Sequence, residues 1–434
     1  MCFKVFKNTV LLLVLVTASC GSKTTNNISA KNEILQPFDT TQNSQVHNKT
    51  IIEEDKSIVV GANRTEQYIP LLQGKRVGVV ANQTSVIFKE ITTVTKKPLN
   101  DVSYTHLIDS LISLDIDIKK VFAPEHGFRG TADAGEIVKD GKDTKTDLPI
   151  LSLHGKHKKP TNTQLKDLDI LIFDIQDVGV RFYTYISTLH YVMEACAENN
   201  IRLLILDRPN PNGSYIDGPV LEKEHSSFLG MHPIPLVHGM TIGEYAKAIN
   251  GEAWLRDSAT CKITIVEMKN YYHDSYYNLP IRPSPNLPNN KAILLYPSLG
   301  LFEGTNINAG RGTEFQFQRY GAPFLDKNHY QFSYTPVANF GSKYPKHKGD
   351  VCYGVDLSVV KAERRFTLKY IMDAYNNSID TSKFFNTSNF TTHAGTAKLQ
   401  QQIESGLNET EIKESWQNDL EAYKITRSKY LLYE

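Results

Sequence analysis

Short apolar runs alternate with amphipathic segments from about residue 58 onward. Five runs have the length and the Val, Ile and Leu content of buried strands: Arg76–Ala81, Lys120–Ala123, Asp169–Phe173, Arg202–Leu206 and Ile263–Val266. Ile234–Val237 is a candidate for a further strand. Strands that alternate with helices predict an α/β fold, in which helices cover both faces of a parallel sheet.

Helices are predicted where apolar residues recur every three or four positions. Thr105–Leu114 has that spacing, and Ser187 is placed to cap a second helix. The run Thr241-Ile-Gly-Glu244 is a capping box that opens a third helix. A similar capping pair begins at Asn408, before a helix with one apolar face.

The segment Pro280–Asn290 interrupts this alternation, because its four prolines exclude both a helix and a central strand. We therefore predict a domain boundary near residue 288. Residues 58–288 would form a Rossmann-like catalytic domain, and residues 289–434 a smaller α+β auxiliary domain. A chain of 434 residues is long enough for both.

The N-terminus has the features of a secretory signal in residues 1–20. Lys4 and Lys7 precede the apolar run Val10–Val16, which is too short to span a membrane. The small residues Thr17-Ala-Ser19 before Cys20 indicate a lipoprotein-type signal, with Cys20 as the lipid-bearing residue. Leu is more usual at the place of Thr17, so a plain secreted protein is the alternative.

Residues 21–57 are rich in Ser, Thr, Asn, Gln and Lys, and they contain too few apolar residues to bury a core. We predict a disordered tether between the lipid and the folded domain. The expected location is the cell envelope, anchored in a bacterial membrane and facing the periplasm or the surface.

Charge, cysteines and missing motifs exclude several classes of protein. A net charge of +1 argues against a nucleic-acid binder. Cys196, Cys261 and Cys352 are widely spaced, which favours buried free thiols over zinc ligands, although one disulfide is possible. GxSxG, HExxH, Walker and GxGxxG motifs are absent from the sequence, so no cofactor is expected. No metal is predicted either, because His126, His190 and His238 lack diagnostic spacing.

Polar residues follow the predicted strands directly. Glu125 and His126 come after Lys120–Ala123 and Pro124, on a loop that turns at Gly127. Because ligands bind at the carboxyl ends of the strands in open α/β sheets, we predict catalytic roles for Glu125 and His126.

Three further acids follow predicted strands, namely Asp174, Asp177 and Asp207. Paired carboxylates suit hydrolysis of a glycosidic bond, in which one protonates the leaving oxygen. We predict Asp177 as the second carboxylate, because it lies beyond the strand and beside Gly179, where the backbone can bend toward a ligand. Capping of a turn is the alternative role for each acid.

Cationic and aromatic residues lie beside the same strand ends. Arg129, Arg181 and Arg208 could bind an anionic substrate group, or they could form ion pairs with the neighbouring acids. Tyr183 and Tyr185 lie two residues apart and could stack on a sugar or pack in the core.

Six runs of sequence resemble the NamZ-type exo-β-N-acetylmuramidases, and the resemblance covers the chain from about residue 58 to the C-terminus. The runs are Gly78–Ser85, Phe122–Gly130, Phe173–Tyr185, Asp207–Gly213, Pro283–Pro288 and the loop from Glu303 to Thr313. The resemblance implies a secreted glycosidase that releases N-acetylmuramic acid from the non-reducing end of peptidoglycan fragments. It also implies a site in an interdomain cleft, with Glu125 as the catalytic acid.

The strand ends and the loop from Glu303 complete the predicted site. The predicted substrate-binding residues are Asn82, Arg129, Asp174, Gln176, Arg181, Tyr183, Tyr185, Asp207, Arg208, Asn210, His238, Glu303, Asn306 and Arg311. The expected partners are peptidoglycan-derived glycan fragments and, through Cys20, a membrane. A non-catalytic glycan-binding lipoprotein and a hydrolase of another ester or phosphate are the alternatives.

Overall fold

Residues 57–89, 103–130, 136 and 139–434 are described in the computed structural model of the protein. The predicted signal, Cys20 and nearly all of the predicted tether lie outside these described residues. Within the described part of the chain, no helix has both the length and the apolar character that a membrane crossing requires.

The described residues form fourteen strands and eleven α-helices. The strands are β1 Val77–Ala81, β2 Val86–Phe88, β3 Tyr104–His106, β4 Ile118–Ala123, β5 Gly141–Lys142, β6 Pro149–Ser152, β7 Ile170–Asp174, β8 Arg202–Leu206, β9 Asp217–Val220, β10 Pro235–Val237, β11 Ile263–Val266, β12 Arg319–Ala322, β13 Phe332–Tyr334 and β14 Cys352–Asp356. The helices are α1 Thr65–Leu72, α2 Leu107–Ser113, α3 Asn162–Leu165, α4 Tyr185–Glu198, α5 Ile242–Gly251, α6 Asn290–Leu299, α7 Lys369–Asn376, α8 Thr387–Ala394, α9 Lys398–Glu404, α10 Glu409–Glu414 and α11 Gln417–Ser428.

A seven-stranded sheet has the order β11-β8-β7-β1-β4-β6-β5, and only β5 runs antiparallel to its neighbour. The chain moves from β1 outward through β4 to β6, and then returns to the other side of β1 with β7. This is the Rossmann order, so the crevice at the reversal between β1 and β7 opens at the carboxyl ends of the strands. The predicted α/β fold class is confirmed.

Buried apolar side chains explain why these runs become central strands. Every residue of β1 and of β7 is buried, as expected for parallel strands covered on both faces. The five main predicted strands agree with β1, β4, β7, β8 and β11 to within two residues at each end. Strand β6 has no counterpart in the prediction, because its short run begins at Pro149 and contains only two apolar side chains in sequence.

Strand β10 corrects the prediction that Ile234–Val237 belongs to the parallel sheet. It pairs antiparallel with β9 in a separate two-stranded ribbon. Pro235 cannot donate a backbone hydrogen bond, which suits a short ribbon better than the centre of a sheet.

Two predicted helix starts are also wrong. The segment around Thr105 begins as β3, and α2 starts only at Leu107, where the side chain of His106 accepts a hydrogen bond from the Ile108 N–H at 3.3 Å. Helix α4 starts at Tyr185 rather than after Ser187. By contrast, the capping box at Thr241 is present as predicted.

The C-terminal part combines the antiparallel sheet β12-β14-β13 with helices α7 to α11, which confirms the α+β character. The capping box at Asn408 is present, but the predicted single helix is divided into α10 and α11. Asp55–Glu434 form one compact unit. The domain boundary near residue 288 therefore stays a prediction.

Candidate active site

Glu125 and His126 lie in a tight turn directly after β4. The Gly127 N–H donates to the Pro124 carbonyl at 3.0 Å, which closes the turn. His126 and Gly127 have positive φ angles of 72° and 76°. A left-handed conformation is costly for a residue with a Cβ, so the buried His126 is held in a strained position of the kind often found in active sites.

The Glu125 carboxylate is held by the residue that precedes α4. Thr184 Oγ1 donates to Glu125 Oε2 at 3.0 Å. Glu125 follows β4, and Thr184 lies between β7 and α4. The carboxylate is therefore fixed by two segments that follow strands on either side of β1.

A cavity of about 820 Å³ opens above Glu125. Of the predicted residues, Glu125, His126, Tyr183, Glu303 and Arg311 line it. Its walls come from both the Rossmann-like part and the C-terminal part of the chain, and they also include Thr184 and Lys346. The volume lies within the range of small-ligand sites.

An aromatic pair supports the floor of this cavity. Tyr183 and Tyr185 pack edge to face with ring centroids 4.9 Å apart. Tyr183 Oη donates to the Pro283 carbonyl at 2.7 Å, and Asn82 Nδ2 donates to Tyr185 Oη at 2.9 Å. Only Tyr183 lines the cavity, so Asn82 and Tyr185 serve as buried supports beneath it.

Glu303 and Arg311 form an ion pair on the C-terminal wall, with Arg311 Nε 3.0 Å from Glu303 Oε1. Burial raises the pKa of the Glu303 carboxyl, but the positive charges of Arg311 and Lys346 outweigh it and leave the pKa below its usual value. Glu303 is therefore ionised at neutral pH.

Lys346 fixes the loop that carries Glu303. Its ammonium donates to the backbone carbonyls of Phe302, Glu303, Thr305 and Ile307 at 2.8, 3.2, 2.6 and 3.4 Å. Burial lowers the pKa of the Lys346 ammonium. Lys346 thus organises this cavity wall. The sequence motifs had predicted that residues 303–313 alone form it.

The other predicted site residues do not line the cavity: Asn82, Arg129, Asp174, Gln176, Asp177, Arg181, Tyr185, Asp207, Arg208, Asn210, His238 and Asn306. Most of them bind backbone groups or each other. Their contacts assign them to the support of the strand-end loops.

Asp177 is held within its own turn. Its Oδ2 accepts from the Gly179 N–H at 2.7 Å and lies 3.6 Å from His238 Nε2. Both side chains are buried. We therefore do not retain Asp177 as the second catalytic carboxylate, or His238 as a substrate contact, since neither reaches the cavity wall.

Asp174 and Arg208 form a buried ion pair. Arg208 Nε and one terminal nitrogen donate to the two oxygens of Asp174 at 2.6 and 2.9 Å. Neither side chain is more than 3% exposed, so both are inaccessible to a substrate. The ion-pair alternative considered for Arg208 is the one that the structure adopts, although its partner is Asp174 rather than the adjacent Asp207.

Asp207 joins the end of β8 to the C-terminus of the chain. Its two oxygens accept from Thr241 Oγ1 at 2.7 Å, the Gly243 N–H at 2.9 Å and Tyr433 Oη at 2.8 Å. Burial raises the pKa of the Asp207 carboxyl to about 6, because it outweighs these hydrogen bonds. Asp207 is thus a buried structural acid.

Arg181 is fully buried and binds four backbone carbonyls. Its terminal nitrogens donate to Pro219 and Ile234 at 2.8 and 2.9 Å, and to His393 and Ala394 at 3.1 and 2.6 Å. Arg181 therefore ties the β9–β10 ribbon to the end of α8. This contact replaces the predicted role of Arg181 in binding an anion.

The remaining predicted residues have local partners. Arg129 forms a two-pronged contact with Asp143, with distances of 3.0 and 2.7 Å. Gln176 Nε2 donates to the Pro209 carbonyl at 2.6 Å, and Asn210 Nδ2 donates to the Met240 carbonyl at 2.9 Å. Asn306 Nδ2 donates to the Lys383 carbonyl at 2.5 Å.

Sequence reasoning missed Thr184 and Lys346. Thr184 lies inside a run that was already recognised, between Tyr183 and Tyr185, so its position carried a usable signal. Lys346 lies in a segment without a recognisable motif, and its contacts depend on the folding of a distant loop. The cysteines were predicted correctly, since Cys196, Cys261 and Cys352 are buried free thiols.

Comparison with known proteins identifies the family. Residues 77–291 match the family Exo-beta-N-acetylmuramidase NamZ, N-terminal, and residues 294–433 match its C-terminal counterpart. This chain belongs to the NamZ family. The NamZ family is one of glycosidases, and the motif around Glu125 falls within the matched N-terminal region.

A characterised NamZ relative supports this assignment. The chain is 40% identical over 387 residues to the peptidoglycan beta-N-acetylmuramidase NamZ of Bacillus subtilis (strain 168), covering 84% of this chain and 89% of that protein. Two crystal structures of DUF1343 family proteins from Bacteroides fragilis NCTC 9343 share the fold. Their TM-scores are 0.77 and 0.71 at 43% and 28% identity, each covering 87% of this chain and 99% of the other.

Proposed function

We propose that this NamZ family member is an exo-acting glycosidase that releases N-acetylmuramic acid from the non-reducing end of peptidoglycan fragments. The observation that carries the proposal is the Glu125 carboxylate, held by Thr184 at 3.0 Å in the lining of a cavity that Arg311 also lines. The substrate named for the Bacillus subtilis relative supports the same choice.

Glu125 is the proposed general acid. It donates its proton to the glycosidic oxygen as the bond from that oxygen to the anomeric carbon breaks. The leaving sugar departs as an alcohol, and water then supplies a hydroxyl to the anomeric carbon and a proton to Glu125. His126 lines the same cavity beside this proton transfer.

Glu303 replaces Asp177 as the proposed second carboxylate. It lines the same cavity and is ionised, so it can stabilise positive charge at the anomeric carbon but cannot donate a proton. If Glu303→Gln keeps near wild-type turnover, the substrate's own acetamido group is the better candidate for this role. The configuration of the sugar first released, measured by NMR, separates retention from inversion.

Arg311 is the proposed partner of the lactyl carboxylate that distinguishes N-acetylmuramic acid from N-acetylglucosamine. A guanidinium recognises a carboxylate through charge-assisted hydrogen bonds. Arg311 lines the cavity, whereas Arg129, Arg181 and Arg208, which sequence reasoning favoured for this role, do not.

The decisive experiment is hydrolysis of a chromogenic β-N-acetylmuramide by the purified protein. We expect turnover that falls by about 10²–10⁴-fold in Glu125→Gln, the range typical for loss of a general acid, with an unchanged unfolding transition. Binding of glycan fragments without hydrolysis would instead support the non-catalytic envelope protein.

We also propose that the protein is attached to a bacterial membrane by a lipid on Cys20. The support lies in the sequence, where an apolar run and three small residues precede Cys20. The predicted tether, residues 21–57, would then separate the enzyme from the membrane surface.

A further inference from the structure

A second cavity of about 490 Å³ adjoins the one that contains Glu125. Ser284 lines both cavities, so they meet at this residue. The two cavities are therefore neighbours that share this residue.

The second cavity carries two exposed aromatic side chains. Tyr104 is 46% exposed and Phe340 is 56% exposed. Single exposed aromatics are common on protein surfaces, but two that line one groove beside a substrate cavity indicate a binding surface. Aromatic rings suit the apolar faces of sugars, whereas the hydroxyl edges of the sugar stay in water.

The backbone at Phe340 is held firmly, although the side chain is exposed. Asn339 and Ser342 exchange backbone hydrogen bonds at 3.1 Å in both directions, which places Phe340 and Gly341 at the tip of a two-residue turn. Asn286 Nδ2 donates to the Gly341 carbonyl at 2.7 Å. A fixed backbone loses little conformational freedom when a ligand binds, so the turn is preorganised to present Phe340.

Gly341 is needed for this arrangement. It has a φ of +94°, and a Cβ at this position would lie 2.8 Å from Pro285 Cβ. The turn therefore packs directly on the Pro283–Pro288 segment, which forms the boundary between the two cavities.

Arg282 adds a positive charge to the same groove, where its side chain is exposed. Peptidoglycan glycans alternate N-acetylglucosamine with N-acetylmuramic acid, so every second sugar carries a lactyl group, whose carboxylate is free where the stem peptide has been removed. A groove with aromatic faces and a guanidinium matches such a chain better than it matches a neutral polysaccharide.

We propose that the second cavity binds the aglycone, meaning the sugars on the reducing-end side of the bond that is cleaved. This inference rests on the proposed function. Tyr104 and Phe340 contact sugar faces, and Arg282 contacts the lactyl carboxylate of the next N-acetylmuramic acid. The enzyme accordingly favours glycan fragments longer than a disaccharide.

The test compares two substrates in the wild-type protein, Phe340→Ala and Arg282→Ala. One is a tetrasaccharide that begins with N-acetylmuramic acid, and the other is methyl β-N-acetylmuramide, whose aglycone is too small to reach the second cavity. We expect the ratio of kcat/KM for the tetrasaccharide to kcat/KM for the methyl glycoside to fall about 10-fold in each variant. Tyr272→Ala, at an aromatic residue that is 52% exposed and lines neither cavity, is the matched control.

The outcomes separate this inference from the proposed function. If the wild-type protein cleaves neither substrate, the proposed function fails. If the wild-type protein cleaves both but Phe340→Ala and Arg282→Ala leave the ratio unchanged, only the aglycone site is refuted. Inhibition by the trisaccharide product provides a second measurement, and its inhibition constant should rise in the same two variants.

Discussion

Thr184 Oγ1 donates a hydrogen bond to Glu125 Oε2 across 3.0 Å, although the two residues are 59 positions apart in the chain. Glu125 follows β4, and Thr184 precedes α4, which leads from the loop after β7. Because β4 and β7 lie on opposite sides of β1, the contact bridges the central strand of the sheet.

Thr184→Val is expected to reduce kcat about 10-fold while KM changes little, because the variant loses the hydroxyl that orients Glu125 but keeps the side-chain volume. Thr184→Ser keeps the hydroxyl and should retain most of the activity. Steady-state kinetics on the chromogenic muramide measure both. Equal losses in the Val and Ser variants would indicate a packing role for Thr184.

Arg311→Met should remove most of the preference for muramides over glucosaminides, because the lactyl carboxylate loses its guanidinium partner. The ratio of kcat/KM for the two sugars is expected to fall by about 10- to 100-fold, which is the effect of losing a hydrogen bond to a charged group. Arg311→Lys, which keeps the charge but not the fork geometry, should give an intermediate ratio. An unchanged ratio in Arg311→Met would place lactyl recognition elsewhere.

Arg181→Met is expected to lower the free energy of unfolding by about 2–4 kcal/mol, because four buried carbonyls lose their donors. Arg365→Met is the matched control, since the Arg365 and Glu363 side chains of that ion pair are 65% and 57% exposed and its loss should cost at most about 1 kcal/mol. Urea denaturation measures both. A stable Arg181→Met protein that fails only in substrate binding would restore the role predicted from sequence.

Asp207 should make the protein less stable as pH rises from about 4 to 6. Its folded-state pKa of about 6 lies above the ordinary value, so the folded state binds the proton more tightly than the unfolded state does. The Asp207 contribution is therefore complete below pH 4 and is lost through pH 6, by about 1–3 kcal/mol. The free energy of unfolding of Asp207→Asn should not show this decline with pH. Identical pH slopes in both proteins would contradict the raised pKa.

Cys20→Ser should release the protein from the membrane fraction of the cell, because a serine cannot carry a thioether-linked lipid. Fractionation followed by immunoblotting tests this, and Cys2→Ser is the matched control within the signal. A wild-type protein found wholly in the soluble fraction would support plain secretion.

Local sequence patterns predicted the strands and helices of this protein more reliably than the contacts of its polar residues. Residues 170–173 are apolar at successive positions, and a strand covered on both faces buries all of them. Glu125 could be predicted as a cavity residue because it follows such a strand at a turn with Gly127. Capping boxes such as the one at Thr241 could also be predicted, because their side chains accept hydrogen bonds from backbone N–H groups within four residues.

Tertiary structure decided which polar residues line the cavity and which support the fold. Asp174, Asp177 and Asp207 look alike in sequence, because each follows a strand. Only the folded chain supplies Arg208 to Asp174, the turn at Gly179 to Asp177, and Tyr433 to Asp207.

The contacts that form the C-terminal wall of the cavity could not be predicted from the sequence either. Lys346 reaches the loop around Glu303 from more than forty residues away. Burial makes such contacts necessary, since a charged group removed from water must find partners wherever the fold brings them. Short-range patterns reveal strands, turns and caps, whereas the partners of buried charges depend on the arrangement of the whole chain.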